Sequence, residues 1–517
     1  MPKVQHAAAR PRTAVQRRRD LATRPETPPV VESTAVYSVS PNRAWPAAPG
    51  RADRRVVVGA GGVGVVAAVM LPVARPGLGL LVTAVAMVVA VGWVVWRRPM
   101  AGGRDWWLAR WERLGWAVLA LLLVAVTVVR AADWLCVLSL LAAGVAATLA
   151  VTGGRRLAEL AFALVAVPVA GLRGIPWLGR AMRRAPREEQ RDARLMAAVL
   201  VGVAMVVVFG ALFATADAGF ARLLADATPR VDVGSVLWSV FVFCAAGLGV
   251  LGAGYLLVSR ARWVARSGQG RLRRAEWAVP VGLLVVLFAL FVGVQVVAMF
   301  GGGAYVSRTP GLTYAQYARG GFWQLLVVTV LTLLVVWGAV HFADREADRG
   351  WLRGLLGALT VLTVVIVASA LSRMWSYQQA YGFTVLRLLV EACEVWLGVI
   401  YLLIIVAGAR MRAGWIAPAG VALAMVALLV LAALNPEAYI AEHNIERWQA
   451  TGRLDTRYLE GLSSDAVDAV RALPQPRQGC VLVVIMRGLG TDGWRSWNAS
   501  RAAARTELAG QGPACGY

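Results

Sequence analysis

Charge is scarce in this sequence. Asp, Glu, Lys and Arg make up only 16% of the 517 residues, whereas about 25% is usual in soluble domains. Lys3 is the only lysine, so the positive charge is otherwise carried by arginine. Hydrophobic residues make up 59% of the chain. This balance argues against an ordinary soluble globular protein and predicts a protein of the membrane.

The sequence also lacks the motifs that mark common catalytic and metal centres. The three histidines are scattered, at His6, His341 and His443, and the five cysteines form no C-x-x-C pair. No H-E-x-x-H, G-x-S-x-G or phosphate-binding loop occurs. Zinc, thioredoxin-type and common hydrolase sites are therefore not predicted. We expect no catalytic residue, cofactor or metal ion, and the pattern leans away from an enzyme.

The net charge of +24 is in the range of nucleic-acid-binding proteins. Here, however, the arginines lie in segments that flank apolar stretches, where membrane orientation accounts for them. We therefore predict the lipid bilayer as the partner, and no nucleic acid.

Eleven apolar stretches are long enough to cross a bilayer, which takes about 20 helical residues. A backbone in lipid must satisfy its polar groups internally, and a helix does so. The predicted fold is therefore an all-α, polytopic membrane helix bundle of about 11 spans. The predicted spans are 56–73, 78–96, 114–132, 134–151, 195–215, 236–258, 278–300, 322–340, 354–371, 385–407 and 414–434.

Arginines alternate between the gaps that separate these stretches. With the N-terminus inside, the inside segments hold 36 basic residues and the short outside loops hold 7. Short connections rich in Lys and Arg stay on the cytoplasmic side. The asymmetry predicts a bacterial plasma-membrane protein with a cytoplasmic N-terminus and an extracytoplasmic C-terminus.

One further segment is ambiguous. Leu157–Leu172 is apolar but short, and it carries Glu159 and Pro168. Counting it as a span would invert every later connection and place the arginine-rich ones outside. We interpret it as an interfacial or re-entrant helix, with a membrane span as the alternative.

The two ends of the chain differ from the apolar centre. Residues 1–55 are polar, basic and without apolar periodicity, which predicts a disordered cytoplasmic arm. Residues 56–434 form the predicted bundle, and residues 435–517 form a small helical extracytoplasmic domain. Within it, Asn435 and Pro436 predict a helix start, and Gly452 predicts its end. Asp455 and Ser464 are predicted to cap two shorter helices.

The tenth span carries three charged residues. Arg387, Glu391 and Glu394 are spaced by four and three residues, so they share one helical face. Charges inside a bilayer usually face the bundle interior or a water-filled cavity. We predict an inward orientation, with Arg387 paired to at least one acid. A structural ion pair and a site that handles protons or ions are equally compatible with the pattern.

Two outside loops are unusually rich in aromatic and polar residues. The segment 372–384 contains Arg373, Tyr377 and Tyr381, and the segment 312–323 contains Tyr314, Tyr317 and Arg319. Interfacial aromatics are commonly belt residues. The density of polar and aromatic side chains in 372–384 also fits a polar pocket over Glu391, and the spacing of Tyr314 and Tyr317 fits a shared helix face at the membrane surface. We treat the six residues as a candidate outside-loop site.

The tail holds two cysteines and a possible glycosylation sequence. Cys480 and Cys515 are predicted to form a disulfide, because the topology places both in an oxidising compartment. Asn498-Ala499-Ser500 fits a glycosylation sequon, although three-residue matches are common by chance.

Four segments together resemble a known family. They are "LTYAQYARGGF" at 312–322, "SRMWSYQQAYGFTVLR" at 372–387, residues 435–473, and "WRSWNASR" at 494–501. They look like the bacterial multi-pass membrane proteins grouped as domains of unknown function four-one-five-three and four-one-seven-three. The resemblance covers about residues 55–510 and implies location and architecture, with no catalytic residues. The arginine-rich composition indicates an actinobacterial source.

Three function hypotheses follow. The first is a non-enzymatic transport, sensing or envelope component that uses the charged face of the tenth span. The second is a membrane enzyme for a lipid or envelope substrate, using Arg373, Tyr381, Glu391 and His443. The third is a structural or signalling scaffold that binds a partner protein through the arm or the tail. The sequence specifies no small-molecule or ion ligand.

The predicted topology is testable by cysteine labelling in intact cells. Engineered cysteines at Pro310 and Gln378 should react with an impermeant maleimide, because both positions are predicted to lie outside. Cysteines at Ala185 and Gly268 should react only after the cells are opened. Labelling of Ala185 or Gly268 positions in intact cells would overturn the orientation.

Overall fold

The computed structural model describes residues 48, 50, 52–71, 75–96, 104–153, 157–183, 233–259, 272–300, 314–344, 347–410 and 414–509, together with scattered positions between 198 and 220. Trp45–Tyr517 form one compact unit. Most of the predicted arm and 10 of the 21 residues of the predicted span 195–215 lie outside the described residues. The described part of the chain contains helices and no strand, which confirms the all-α fold.

The bundle contains eleven helices in the described residues. They are α1 Arg54–Met70, α2 Leu78–Trp96, α3 Arg104–Val129, α4 Asp133–Thr152, α5 Leu157–Arg183, α6 Val233–Val258, α7 Arg274–Phe300, α8 Tyr314–Phe342, α9 Arg349–Tyr381, α10 Val385–Arg410 and α11 Ile416–Leu434. Near the start of α9, Leu352–Leu356 form a π-helical turn. Nine of the described helices are long and apolar enough to cross a membrane. The helix α1 coincides with a predicted span but has 17 residues.

The helix ends define two ends of the bundle. We call the end at which α1 begins the proximal end, and the end on which the tail packs the distal end. Contacts between helix ends show which end each helix reaches. At the distal end, Trp238 near the start of α6 donates to the carbonyl of Leu71, which follows α1. At the proximal end, Arg353 donates to the carbonyl of Ala409. The helix ends that flank the arginine-rich connections lie at the proximal end.

The helix α5 corrects the length of the ambiguous segment and supports its interpretation. It runs to Arg183, eleven residues beyond the predicted end at Leu172. It follows α4 at the proximal end, and its C-terminal Arg180 also lies there, donating to the carbonyls of Ala48 and Gly50. Because both ends of α5 are proximal, it packs against α6 without running from one end of the bundle to the other.

Close glycine contacts hold α1, α5 and α6 together. A Cβ at Gly171 of α5 would lie 2.7 Å from the carbonyl oxygen of Leu248, and a Cβ at Gly64 of α1 would lie 2.8 Å from the ring of Phe243. Small residues at such crossings let membrane helices approach closely. The residues Gly59 and Gly64 of a G-x-G-x-x-G pattern in α1 are therefore helix-packing positions.

The tail begins directly after α11. It comprises α12 Pro436–Thr451, α13 Thr456–Glu460, a 3₁₀ turn at Ser464–Ala466, α14 Val467–Val470, α15 Arg477–Leu489, a 3₁₀ turn at Trp494–Ser496 and α16 Ala499–Leu508. The predicted caps at Asn435 and Asp455 are confirmed, as is the stop at Gly452. The third cap is Ser463, one residue before the predicted Ser464, because the Ser463 hydroxyl accepts from the Asp465 amide.

The tail packs on three distal hairpins through buried polar side chains. The Asp465 carboxylate accepts from the amides of Ala131 and Ala132, each at 2.9 Å. The Asn498 amide donates to the carbonyls of Thr127 and Arg130, at 3.0 and 2.8 Å. These backbone groups lie at helix ends, where intrahelical partners are missing. The tail thus completes the hydrogen bonding of the α3–α4 connection.

Asn498 is fully buried. Its side-chain oxygen also caps α16 by accepting from the Arg501 amide at 3.0 Å. Because Asn498 makes these contacts, it is not accessible to glycosylation in the folded protein. Its hydrogen bonds explain why an asparagine occupies this position.

We predict that Asn498→Ala lowers the free energy of unfolding by about 2–4 kcal/mol, because it removes a helix cap and leaves two carbonyls unpaired. Thermal unfolding in lipid nanodiscs measures the effect. Ser500→Ala is the matched control, since it destroys the same sequon and should have a smaller effect. Equal losses for the two variants would contradict the structural role of Asn498.

Candidate functional site

The candidate site lies on α10, whose first turn is fixed by the tail. The Asn444 side chain accepts from the amide of Phe383 and donates to its carbonyl, both at 2.9 Å. The Tyr458 hydroxyl accepts from the amide of Val385 at 2.8 Å. Gly382 ends α9 with a φ of +85°, a value that favours glycine. The start of α10 is therefore held by side chains of the tail.

The segment 372–384 is mostly helix, which corrects the predicted outside loop. The helix α9 continues to Tyr381, and only Gly382–Thr384 connect it to α10. Arg373, Tyr377 and Tyr381 therefore lie on the last turns of α9. The last turns of α9 carry polar residues because they lie at the distal end of the bundle, where a membrane helix contacts water and no longer lipid.

Tyr314, Tyr317 and Arg319 also lie in a helix, because α8 already begins at Tyr314. Their side chains lie outside the described residues. Their assignment to a site with the α9 residues stays a prediction.

Among the described residues Arg387 has no acidic partner, contrary to the prediction. Its guanidinium donates to the carbonyls of Tyr381 and Gly382. It also lies over the ring of Tyr377, with Cζ 4.5 Å from the ring centroid. The last carbonyls of α9 attract a cation because they have no intrahelical partners and form the negative end of the helix dipole.

Glu391 has a neutral partner instead. Gln378 of α9 donates to its carboxylate at 3.0 Å. Glu391 is half-buried, whereas Gln378 is fully buried and its side-chain oxygen has no hydrogen-bond partner. The predicted triad is therefore divided, with Arg387 bound to the end of α9 and Glu391 one turn below it. The burial of Gln378 also makes the exposed neighbour Gln379 the better labelling position.

Glu394 is the exceptional residue of this face. It has 0% of its surface exposed, and neither of its carboxyl oxygens has a hydrogen-bond partner among the described residues. It lies in the candidate span Val385–Arg410, with Val390 and Leu397 buried on either side. Acidic groups are almost never fully buried without a partner. Burying a charged carboxylate costs more free energy than burying a neutral carboxyl.

Other polar groups line the same half of the bundle. Tyr401, two turns below Glu394, donates to the Thr329 carbonyl of α8 at 2.5 Å. Ser369 of α9 donates to the Gln295 side chain of α7, whose amide nitrogen is buried and unpartnered. These residues are not predictable from the sequence, because single uncharged polar groups in apolar helices give no distinctive pattern.

His443 does not belong to a catalytic arrangement in the described residues. Its Nδ1 lies 2.9 Å from the Tyr439 carbonyl, and its ring lies 4.0 Å from the Tyr439 ring. It also contacts the ring of Phe383. The described residues contain no group of three or more His, Cys, Asp and Glu side chains that fits a metal ion.

Cys480 is disulfide-bonded, and its predicted partner Cys515 lies outside the described residues. The thiols of Cys136, Cys244 and Cys393 are free.

A second acidic residue is buried where the tail meets the bundle. Glu437 accepts from the Ser463 amide at 2.6 Å and from the Trp134 indole at 3.1 Å. Burial raises the pKa of Glu437, the nearby charge of Asp465 raises it further, and the two donors oppose the shift. Protonation of Glu437 is thus easier in the docked tail than in the unfolded chain.

The apolar helices of the described residues define the class of the protein, which is a polytopic helical membrane protein. The chain belongs to the family described as a domain of unknown function, DUF4153, whose model matches residues 117–473. The resemblance to that family is confirmed, and the segment Trp494–Arg501 lies beyond the matched range. No curated protein and no solved structure matches the chain.

The pKa of Glu437 predicts a pH dependence of stability. A raised folded-state pKa adds stability that is fully present below the ordinary value of 4.5 and is lost as the pH rises through the folded value. This component of thermal stability should therefore increase as the pH falls toward 4.5. In Glu437→Gln this component should disappear, whereas Glu442→Gln, at an exposed position of the same helix, should retain it. An unchanged pH profile in Glu437→Gln would refute the assignment.

Proposed function

We propose that this chain is a non-enzymatic transport protein of the bacterial plasma membrane in which Glu394 takes up and releases a proton. The single observation that carries the proposal is the fully buried carboxyl of Glu394, which has no hydrogen-bond partner in a helix suited to span a membrane.

The energetics favour a functional reason for this carboxyl. A charged side chain at the centre of a membrane helix costs about 2.5–3.5 kcal/mol on insertion scales. Even a neutral carboxyl without a partner costs about 1–3 kcal/mol relative to an apolar side chain. A structural role would require a partner that recovers this cost. Local violations of this kind are expected at functional sites.

Glu391 supplies a neighbouring acceptor on the way to the distal surface. It lies three residues before Glu394, so the two side chains occupy adjacent turns of one face. Glu391 is half-buried and held by Gln378. A carboxyl that is partly accessible beside one that is fully buried fits stepwise proton transfer, with Glu391 as the outer position.

The orientation proposed is a cytoplasmic proximal end and an extracytoplasmic tail. The asymmetry of 36 against 7 basic residues supports it. The disulfide-bonded state of Cys480 also fits an oxidising compartment for the tail.

A scaffold is the second candidate, and the contacts of the tail favour it. Asn444 and Tyr458 bind the α9–α10 connection, and Asp465 and Asn498 bind the α3–α4 connection. A tail that joins separate hairpins is suited to transmit the binding of a partner protein to α10. The enzyme alternative gains no comparable support, since Glu391 and His443 of its proposed residues are engaged in local contacts.

Two substitutions of Glu394 separate a functional from a structural role. Glu394→Met should raise the free energy of unfolding by about 1–3 kcal/mol, because an apolar side chain of similar size replaces an unpaired carboxyl. Glu394→Gln should leave stability nearly unchanged. Both variants should abolish proton flux into proteoliposomes that carry an internal pH-sensitive dye and an imposed membrane potential.

Glu442→Gln, an exposed change in α12, is the matched control and should keep the wild-type flux. Wild-type flux no greater than that of empty liposomes, or full flux in Glu394→Gln, would refute proton transport. A large loss of stability in Glu394→Met would indicate a structural carboxyl instead.

A further inference from the structure

The hairpin of α1 and α2 lacks aromatic residues at its distal end. The sequence of α1 contains none, and those of α2 are Trp93 and Trp96, near its proximal end. At that proximal end Trp93 has the usual arrangement of an interfacial anchor, with Arg55 5.7 Å from its ring centroid. Tryptophans commonly mark both membrane–water boundaries, so the distal boundary of this hairpin needs anchors from elsewhere.

The tail places such residues at this boundary. The 3₁₀ turn Trp494–Ser496 packs against the first turn of α2, where Leu78 donates to the carbonyl of Trp497 at 3.1 Å. A Cβ at Gly77 would lie 2.6 Å from the same carbonyl, and one at Gly79 would lie 3.1 Å from that of Arg495. The turn therefore sits at the level at which the candidate span Leu78–Val95 begins.

The side chains of this turn are directed away from the protein. Trp494 is 59% exposed and Trp497 is 42% exposed, whereas Ser496 between them is buried. Val69 of α1 and Val82 of α2 are also exposed within one turn of the same boundary, as expected for a lipid-facing surface. The exposed indoles thus border apolar helix surface, and not only water.

Exposed cations accompany the indoles. Arg495 is exposed, with Cζ 5.6 Å from the centroid of the Trp494 ring. Arg75 is exposed in the same hairpin connection and donates to the carbonyl of Leu489. The acid nearest in sequence, Asp492, is already paired with Arg501 and Arg505. The charge of this surface complements lipid phosphate groups.

We propose that Trp494–Trp497 is a lipid-binding element of the tail. Its two indoles lie in the headgroup layer beside the α1–α2 hairpin, and Arg495 binds the phosphate of an anionic phospholipid. The element anchors the tail to the membrane independently of the role of Glu394. It also explains why this part of the tail keeps large apolar side chains exposed.

The insertion is tested on the full-length protein in nanodiscs, with fluorotryptophan incorporated and fluorine resonances recorded. Trp494→Phe, Trp497→Phe and Trp448→Phe assign the three signals. A lipid with a nitroxide near the headgroup end of its acyl chain should broaden the Trp494 and Trp497 signals beyond detection. A water-soluble paramagnetic chelate should broaden these two signals less than the nitroxide lipid does. Trp448, which packs on the tail core beneath Arg477, is the control that the nitroxide lipid should not broaden. Broadening of the first two signals mainly by the chelate would overturn the proposal.

The phosphate contact is tested separately by the lipid dependence of thermal stability. Adding phosphatidylglycerol to phosphatidylcholine nanodiscs should raise the unfolding temperature of the wild type more than that of Arg495→Gln. Arg487→Gln, an exposed change on α15, is the control and should respond like the wild type. An equal response of all three proteins would remove Arg495 as a lipid ligand.

Discussion

The structure depends on one constraint, which is that a polar group removed from water must find its partner inside the protein. Transmembrane helices meet this constraint for their central backbone groups, but each helix end leaves donors or acceptors unpaired. At the distal end, the amides of Ala131 and Ala132 and the carbonyls of Thr127 and Arg130 are such groups. The tail supplies their partners, so it is part of the bundle's hydrogen bonding as well as an appended domain.

The same constraint explains the separation of the three charged residues of α10. Arg387 is close enough to the distal end to reach the unpaired carbonyls that end α9. Glu391 reaches Gln378 across the helix pair. Glu394, one turn deeper, reaches neither, and its two oxygens have no partner. The three charged residues of α10 therefore differ because they lie at different depths. Arg387 binds the end of α9, Glu391 is held by Gln378, and Glu394 is buried.

Much of the architecture was predictable from the sequence because apolar length and arginine placement report directly on membrane insertion. Asn435, Asp455 and Gly452 were predictable as well, since caps follow local chemistry. The extension of α9 through Tyr381 was not, because its polar last turns resemble a loop. The partner of Arg387 was also misassigned, because backbone carbonyls at a neighbouring helix end leave no signature in the sequence. Glu394 was identified by its position, while its lack of partners follows only from the packing.

The central claim is that Glu394 is a neutral carboxylic acid inside the bundle at neutral pH, and infrared difference spectroscopy tests it most directly. With carbon-13-labelled glutamate, the wild-type protein in lipid should show the carbonyl stretching band of a protonated carboxyl at neutral pH. The part of this band that belongs to Glu394 should disappear in Glu394→Gln and remain in Glu391→Gln. Glu437 is present in both variants, so its contribution is the same in both spectra. A Glu394→Gln spectrum identical to that of the wild type in this region would show that Glu394 is ionised, and would contradict the account.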